Sequence, residues 1–172
     1  MLDKIKKNFN TIALIVAAVG LIFILPTLVN RAVGDFTLSN VIYFIEFGLF
    51  AAALIIIIIS ASAAKSDVRA LMPLAFMLYL TGLLLTYIYS IIEFSSWSAI
   101  IYAAIVILAA IFYLIPQTSK AIEIISWILL IALLVMGLLG VFAGESIGVT
   151  NVSVMSIVIF DLYLYRNKKE NE

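Results

Sequence analysis

The chain has 172 residues, of which 66% are hydrophobic and only 12% are charged, and its mean hydropathy is +1.26. Globular domains carry about 25% charged residues, so too little charge is present to cover a water-facing surface, which excludes a soluble enzyme and a disordered tail. The sequence contains no cysteine and no histidine and has zero net charge, which excludes disulfides, zinc sites and haem ligation and gives no field that attracts nucleic acid. The composition therefore predicts an integral membrane protein.

Six apolar runs, separated by short polar breaks, divide the chain. A helix needs about 20 apolar residues to cross a hydrocarbon core of about 30 Å, and the runs lack the alternation of barrel strands. The sequence predicts an all-α protein, one domain over 1–172 whose six transmembrane helices form three antiparallel hairpins in the lipid bilayer. In chain order, the predicted helices cover about 11–29, 41–64, 70–92, 99–115, 121–143 and 149–165.

The three prolines lie close to the ends of predicted helices. Pro26 falls near the outer end of the first predicted helix, Pro73 in the first turn of the third, and Pro116 just past the fourth. Proline is tolerated at such positions because few intrahelical hydrogen bonds are lost there. The positions agree with the predicted spans and indicate no helix that is broken at mid-membrane.

The basic residues predict the orientation, because Lys and Arg are enriched in cytoplasmic loops. With six helices, both termini lie on the same side, and that side carries all basic residues except Arg31. The sequence therefore predicts a multi-pass protein of the cytoplasmic membrane with both termini in the cytoplasm. The basic residues on the predicted inner side are Lys4, Lys6, Lys7, Lys65, Arg69, Lys120, Arg166, Lys168 and Lys169.

Small residues form stripes on two of the predicted helices. Ala13, Ala17 and Gly20 share one face of the first helix, and Gly140 and Gly144 form a G-x-x-x-G pattern at the outer end of the fifth. Small side chains let membrane helices approach closely. We expect these stripes to pack helices within the bundle; the alternative is that the stripe on the first helix docks a partner membrane protein.

Two carboxylates lie inside apolar runs, where ionisable groups by default suggest a function. Glu46 is about 8 Å along the second run at 1.5 Å per residue. It is either protonated and hydrogen-bonded to a neighbouring helix, or it faces an outward-open polar cavity. Asp161 lies near the inner end of the sixth run, where we expect it to reach the headgroups or to pair with Arg166, Lys168 or Lys120.

Polar side chains at a depth similar to that of Glu46 are its candidate neighbours: Thr86, Tyr87, Ser90 and Asn151. Tyr87, Tyr79 and Trp127 lie deep enough for their polar tips to need hydrogen-bond partners, either in a ligand pocket or in the core. The candidate binding residues are therefore Glu46, Tyr87, Trp127 and Asp161.

A catalytic function is not expected from these residues. Hydrolysis inside a membrane needs a base paired with a nucleophile, a pair of carboxylates, or a metal. Glu46 and Asp161 are predicted near opposite faces of the membrane, too far apart for a dyad. We expect no enzymatic activity, no cofactor and no metal.

Two family resemblances follow from the helix pattern. The stretch Gly20–Pro26 (GLIFILP), followed by an apolar helix that ends at Lys65, resembles one hairpin of the HdeD-like acid-resistance membrane proteins. The six-helix layout and the Ala13–Ala17 spacing are similar to the substrate-binding subunits of energy-coupling-factor transporters, in which this stripe docks the coupling subunit. The first resemblance implies a non-enzymatic role in envelope stress, and we also consider immunity or the assembly of a membrane complex. The second implies binding of a small solute.

The predicted topology can be tested with single cysteines, because the chain has none of its own. Cysteines at Ser66 and Ser119 should resist a membrane-impermeant thiol reagent in intact cells, whereas cysteines at Ser96 and Ser146 should react. Labelling of position 66 from outside the cell would contradict the predicted six-helix topology.

Overall fold

The computed structural model describes residues 2–62, 68–115 and 119–169, and their side chains over 8–62, 71–115, 119–145 and 147–163. Within these ranges the chain is all-helical, as predicted. Lys65, Asp67 and Pro116 lie outside the described residues, and Arg69, Arg166, Lys168 and Lys169 lie outside the described side chains. The six helices are α1 (Leu2–Ala32), α2 (Leu38–Ser62), α3 (Val68–Phe94), α4 (Trp97–Leu114), α5 (Lys120–Phe142) and α6 (Ser146–Lys169).

Five of these helices, α1 to α5, are long and apolar enough to cross a membrane over their described residues. The chain therefore has the features of a membrane protein. The described side chains of α6, Ile147–Tyr163, form a shorter apolar stretch. Along that stretch Tyr163 is the one exposed residue among those described. A helix that other helices enclose does not need a lipid-compatible surface, which explains its polar composition.

The helices form a bundle in which α6 is held between α1 and α5. Each helix packs against its neighbours in the chain, α1 packs against α6, and α6 also touches α3 and α2. The large exposed apolar side chains lie almost entirely on α1 to α5 and their connections. Those five helices therefore present the lipid-compatible surface and α6 is largely enclosed.

Capping groups define several helix ends. Ser96 and Ser119 cap the N-termini of α4 and α5, accepting hydrogen bonds from the backbone N–H groups of Ala99 (3.4 Å) and Ile122 (3.3 Å). The helices extend beyond several predicted spans: α1 covers Leu2–Ala32 rather than about 11–29, and α3 begins at Val68 rather than at about residue 70, which places Pro73 in its second turn rather than its first.

The small-residue stripe of α1 lies inside the bundle. Ala13 and Ala17 are both 0% exposed. A Cβ atom added at Gly20 would lie 2.9 Å from the Cβ of Ser153 on α6 and 3.2 Å from a methyl of Leu54 on α2. The hydroxyl of Thr150 donates a hydrogen bond to the carbonyl of Gly20 (3.4 Å). The stripe is therefore covered by helices of this same chain.

Replacing Ala17 by Leu should lower the stability of the folded protein in detergent by about 1–3 kcal/mol, because the added carbon atoms meet closely packed neighbours. Val19→Leu is the matched control, since Val19 is exposed on the opposite side of α1, and it should leave the melting temperature unchanged. Equal melting temperatures for the two variants would contradict the internal position of the stripe.

Glycines bring α5 and α6 together at their shared turn. Gly144 has a φ angle of +78° and ends α5, with the Glu145 N–H donating to the Gly140 carbonyl (2.9 Å) and the Gly144 N–H donating to the Val141 carbonyl (3.0 Å). This is a Schellman motif, in which glycine takes up the left-handed conformation at least cost. Gly140 packs against the Cα atom of Gly148, so the two glycines of the G-x-x-x-G pattern have different roles.

Gly148→Ala should destabilise the protein or prevent folding, because the new Cβ would overlap the backbone of Gly140 and Val141. Gly48→Ala is the matched control, since nothing lies within 4 Å of a Cβ at Gly48. Alanine also favours a helix over glycine by about 1 kcal/mol, so this variant should melt at the same or a higher temperature. The two melting temperatures in detergent give the comparison, and a tolerated Gly148→Ala would contradict the close α5–α6 contact.

Candidate functional site

A cavity of about 600 Å³ lies at the end of the bundle that carries the three short turns, and the turn between α5 and α6 contributes to its lining. We call this the hairpin end; its turns are residues 33–37, 95–96 and 143–145. Every helix except α4 contributes to the wall, and the exposed residues Gly144 and Glu145 lie at the rim. The volume lies within the range of about 300–1,000 Å³ that is typical of small-molecule sites. The lining residues are Thr27, Arg31, Tyr43, Glu46, Phe47, Leu83, Thr86, Tyr87, Met136, Gly140, Gly144, Glu145, Ile147 and Asn151.

Glu46 is the most deeply buried charged residue of this wall. It lies about 12 Å along α2 from Leu38 at a rise of 1.5 Å per residue, and it is only 1% exposed. Among the described residues, neither carboxyl oxygen has a hydrogen-bond partner of standard geometry. The Thr86 side chain lies close enough to interact with the carboxyl. A carboxyl group can remain buried in this way only if it is protonated or if a cation pairs with it.

Close contact between α2 and α3 positions the groups around Glu46. A Cβ atom at Gly82 of α3 would lie 2.8 Å from the Phe50 ring and 3.3 Å from the backbone carbonyl oxygen of Glu46. Because Gly82 has no side chain, α3 approaches α2 at this depth. Thr86 and Tyr87 follow about one turn later and face the same cavity.

A second close contact positions Asn151 on the opposite wall. A Cβ atom at Gly137 of α5 would lie 2.9 Å from the Cβ of Asn151. Asn151 is 9% exposed, and its side-chain oxygen has no hydrogen-bond partner among the described residues. The cavity therefore has a carboxyl group on α2 and an unpaired amide oxygen on α6, both available to a polar ligand.

Arg31 lies in the last turn of α1 and is held by the start of α2. Its guanidinium donates a hydrogen bond to the side-chain oxygen of Asn40 (3.2 Å) and lies 4.9 Å from the centre of the Tyr43 ring. The Asn40 amide in turn donates to the Arg31 carbonyl (2.8 Å). Arg31 influences Glu46 electrostatically, but the described structure contains no ion pair between their side chains.

The structure brings together only some of the predicted site residues. Glu46 and Tyr87 line the cavity, as do the proposed neighbours Thr86 and Asn151, whereas Ser90 does not. These positions agree with the interpretation of Glu46 as facing a polar cavity.

Trp127 and Asp161 do not line this cavity. Trp127 is half-buried beside a shallow groove on α5 with Lys120 and Glu123. Asp161 is 9% exposed on α6, where it interacts electrostatically with Tyr113. Tyr79 is fully buried against Phe50, with ring centres 5.3 Å apart.

Several cavity residues were not predicted from the sequence. Arg31 had one indication, because it is the single basic residue on the predicted outer side; the sequence reading placed it in a loop, whereas it belongs to α1. Nothing in the local sequence distinguishes Met136 or Leu83 from lipid-facing residues of the same helices.

Comparisons of the chain with protein-family models, with curated proteins and with solved structures find no match. Within the described residues, no group of three acidic, histidine or cysteine side chains could hold a metal ion. The arrangement can surround a small polar molecule with hydrogen-bonding groups, charged groups and aromatic rings.

Proposed function

We propose that this chain is a non-enzymatic membrane protein that binds a small solute in the cavity at its hairpin end. The observation that carries this proposal is the carboxyl of Glu46, which is 1% exposed in the wall of a cavity of about 600 Å³ and has no hydrogen-bond partner of standard geometry among the described residues. A buried polar group without a partner is costly in a folded protein. Its position in a cavity wall is explained if the missing partner is a ligand.

The proposal includes an orientation. The hairpin end carries Arg31 as its single basic residue, whereas the remaining basic residues belong to the termini and to the α2–α3 and α4–α5 connections. By the preference of basic residues for the cytoplasm, both termini are cytoplasmic and the protein is in the cytoplasmic membrane. The cavity then opens to the outside and receives its solute from there.

The cavity favours solute binding over the other roles that the sequence suggested. A stress, immunity or assembly function does not require a polar cavity that contains a buried carboxyl. Solute binding is the function of the substrate-binding subunits of energy-coupling-factor transporters, which the helix layout resembles. The cavity supports this likeness, but the α1 stripe does not, because Ala13 and Ala17 are covered by this chain's own helices. We propose that the stripe packs the bundle rather than docking a partner.

A cysteine at Met136 tests whether the cavity is open to water from outside the cell. Met136 is half-buried in the cavity wall, so Met136→Cys should react in intact cells with a methanethiosulfonate reagent that does not cross membranes. Met77→Cys is the matched control, because Met77 is also half-buried but lies outside the cavity, and it should remain unmodified. The extent of labelling is measured by mass spectrometry of the purified protein.

Ser98→Cys serves as the positive control, since Ser98 is exposed at the hairpin end. If position 98 reacts and position 136 does not, the cavity is closed to outside solutes and the proposed function is wrong. Equal reaction at positions 136 and 77 would also contradict it, because the reagent would then reach the bundle without using the cavity.

A further inference from the structure

The described cavity wall has more acidic than basic residues, and its basic residue already has interaction partners. Among the described lining residues, Glu46 and Glu145 are acidic and Arg31 is basic. The guanidinium of Arg31 is already engaged by the Asn40 oxygen and the Tyr43 ring. The wall therefore has two acidic groups and one basic group that is already engaged, and this composition favours a cation over an anion inside the cavity.

Aromatic rings in the cavity wall also favour a cation. Tyr43, Phe47 and Tyr87 line the cavity together with Glu46. The faces of aromatic rings attract cations, most strongly where water is excluded. Arg31 already makes this contact with Tyr43, at 4.9 Å from the ring centre.

We propose that the solute carries a positive charge on an ammonium group and that the carboxylate of Glu46 is its counter-ion. This inference rests on the proposed function and specifies the chemical class of the ligand as a small organic cation. The ammonium supplies the charged partner that Glu46 lacks among the described residues, and the rings of Phe47 and Tyr87 contact its apolar substituents. The hydrogen-bonding groups of Thr86 and Asn151 are available to the remainder of the molecule.

Glu46 is covered by neighbouring side chains, and this affects how a solute can reach it. Its side chain is 1% exposed although it belongs to the cavity wall, so direct contact with a solute requires rotation of a neighbouring side chain. An ammonium group that enters the cavity favours the ionised form of this carboxyl, because the cation compensates for the cost of burying the negative charge. A cation is therefore held in the cavity in preference to an anion.

The reaction rates of a cysteine at Met136 measure this attraction directly. Two methanethiosulfonate reagents of similar size are compared, one carrying a trimethylammonium group and the other a sulfonate. The ratio of their rate constants at position 136, divided by the same ratio at Ser98→Cys, should be at least about ten in favour of the cation. The ratio of the two rate constants at one position cancels the reactivity of that thiol, which affects both reagents alike. Division by the ratio at position 98 cancels the intrinsic difference between the reagents.

Glu46→Gln in the Met136→Cys background should return this ratio to about one, because the amide keeps the size of the side chain and removes its charge. Glu93→Gln is the matched control, since Glu93 is an exposed carboxylate of α3 outside the cavity, and it should leave the ratio unchanged. Size-exclusion chromatography and a melting curve in detergent establish that both variants are folded. If Glu46→Gln does not fold, the ratio in the Met136→Cys chain alone still decides whether the cavity prefers a cation.

The remaining outcomes separate this inference from the proposed function. Equal rates for the two reagents at position 136 would show that Glu46 is protonated and uncharged, which overturns the inference and leaves the proposed function standing. A preference for the sulfonate would assign the dominant charge to Arg31 and overturn the inference too. A cation preference that survives Glu46→Gln would remove Glu46 as the counter-ion. No reaction with either reagent would mean that the proposed function itself is wrong.

Discussion

Polar groups at membrane depth must either be hydrogen-bonded within the protein or be kept away from lipid, and most of the architecture follows from that constraint. In hydrocarbon, an unsatisfied hydrogen-bonding group costs several kcal/mol. The most polar helix, α6, carries Thr150, Asn151, Ser153 and Asp161 within its described apolar stretch, and all four are buried. The bundle meets the constraint by placing α6 between α1 and α5, where those helices and α3 cover it.

Small residues make this enclosure possible. Gly20 of α1 lies against Ser153, and Gly137 and Gly140 of α5 lie against Asn151 and Gly148. Because lipid tails are as apolar as leucine side chains, helices in a membrane associate through close packing and hydrogen bonds rather than through the hydrophobic effect. Glycines on both sides of α6 let its backbone approach its neighbours, and the serine and threonine hydroxyls bond to backbone carbonyls.

At the hairpin end the helices do not close around α6, and the cavity lies there. There the wall contains charged and aromatic residues, including Glu46, Arg31 and Tyr43, instead of the alanines and leucines of the core. Arg31 has its charge distributed between Asn40 and Tyr43, whereas the carboxyl of Glu46 has no comparable partner among the described residues. Over its described residues, the bundle therefore provides partners for the half-buried guanidinium of Arg31 and no charged partner for the buried carboxyl of Glu46, and both proposals rest on this difference.

The sequence by itself determined the helical class and the number of helices, and it singled out Glu46 as a candidate site residue, because hydropathy and the rarity of a carboxylate in an apolar run are local properties. It also identified Thr86, Tyr87 and Asn151 as residues at a similar depth, since depth follows from distance along a helix. Only the tertiary structure decided which faces point inward. The rotation and neighbours of each helix depend on contacts between residues far apart in the chain, such as Gly20 with Ser153, and apolar residues give little indication of them when lipid and protein interior are equally apolar. Trp127 and Asp161 lie outside the cavity because they belong to the other ends of α5 and α6. Met136, which no sequence pattern distinguishes, forms part of the cavity wall.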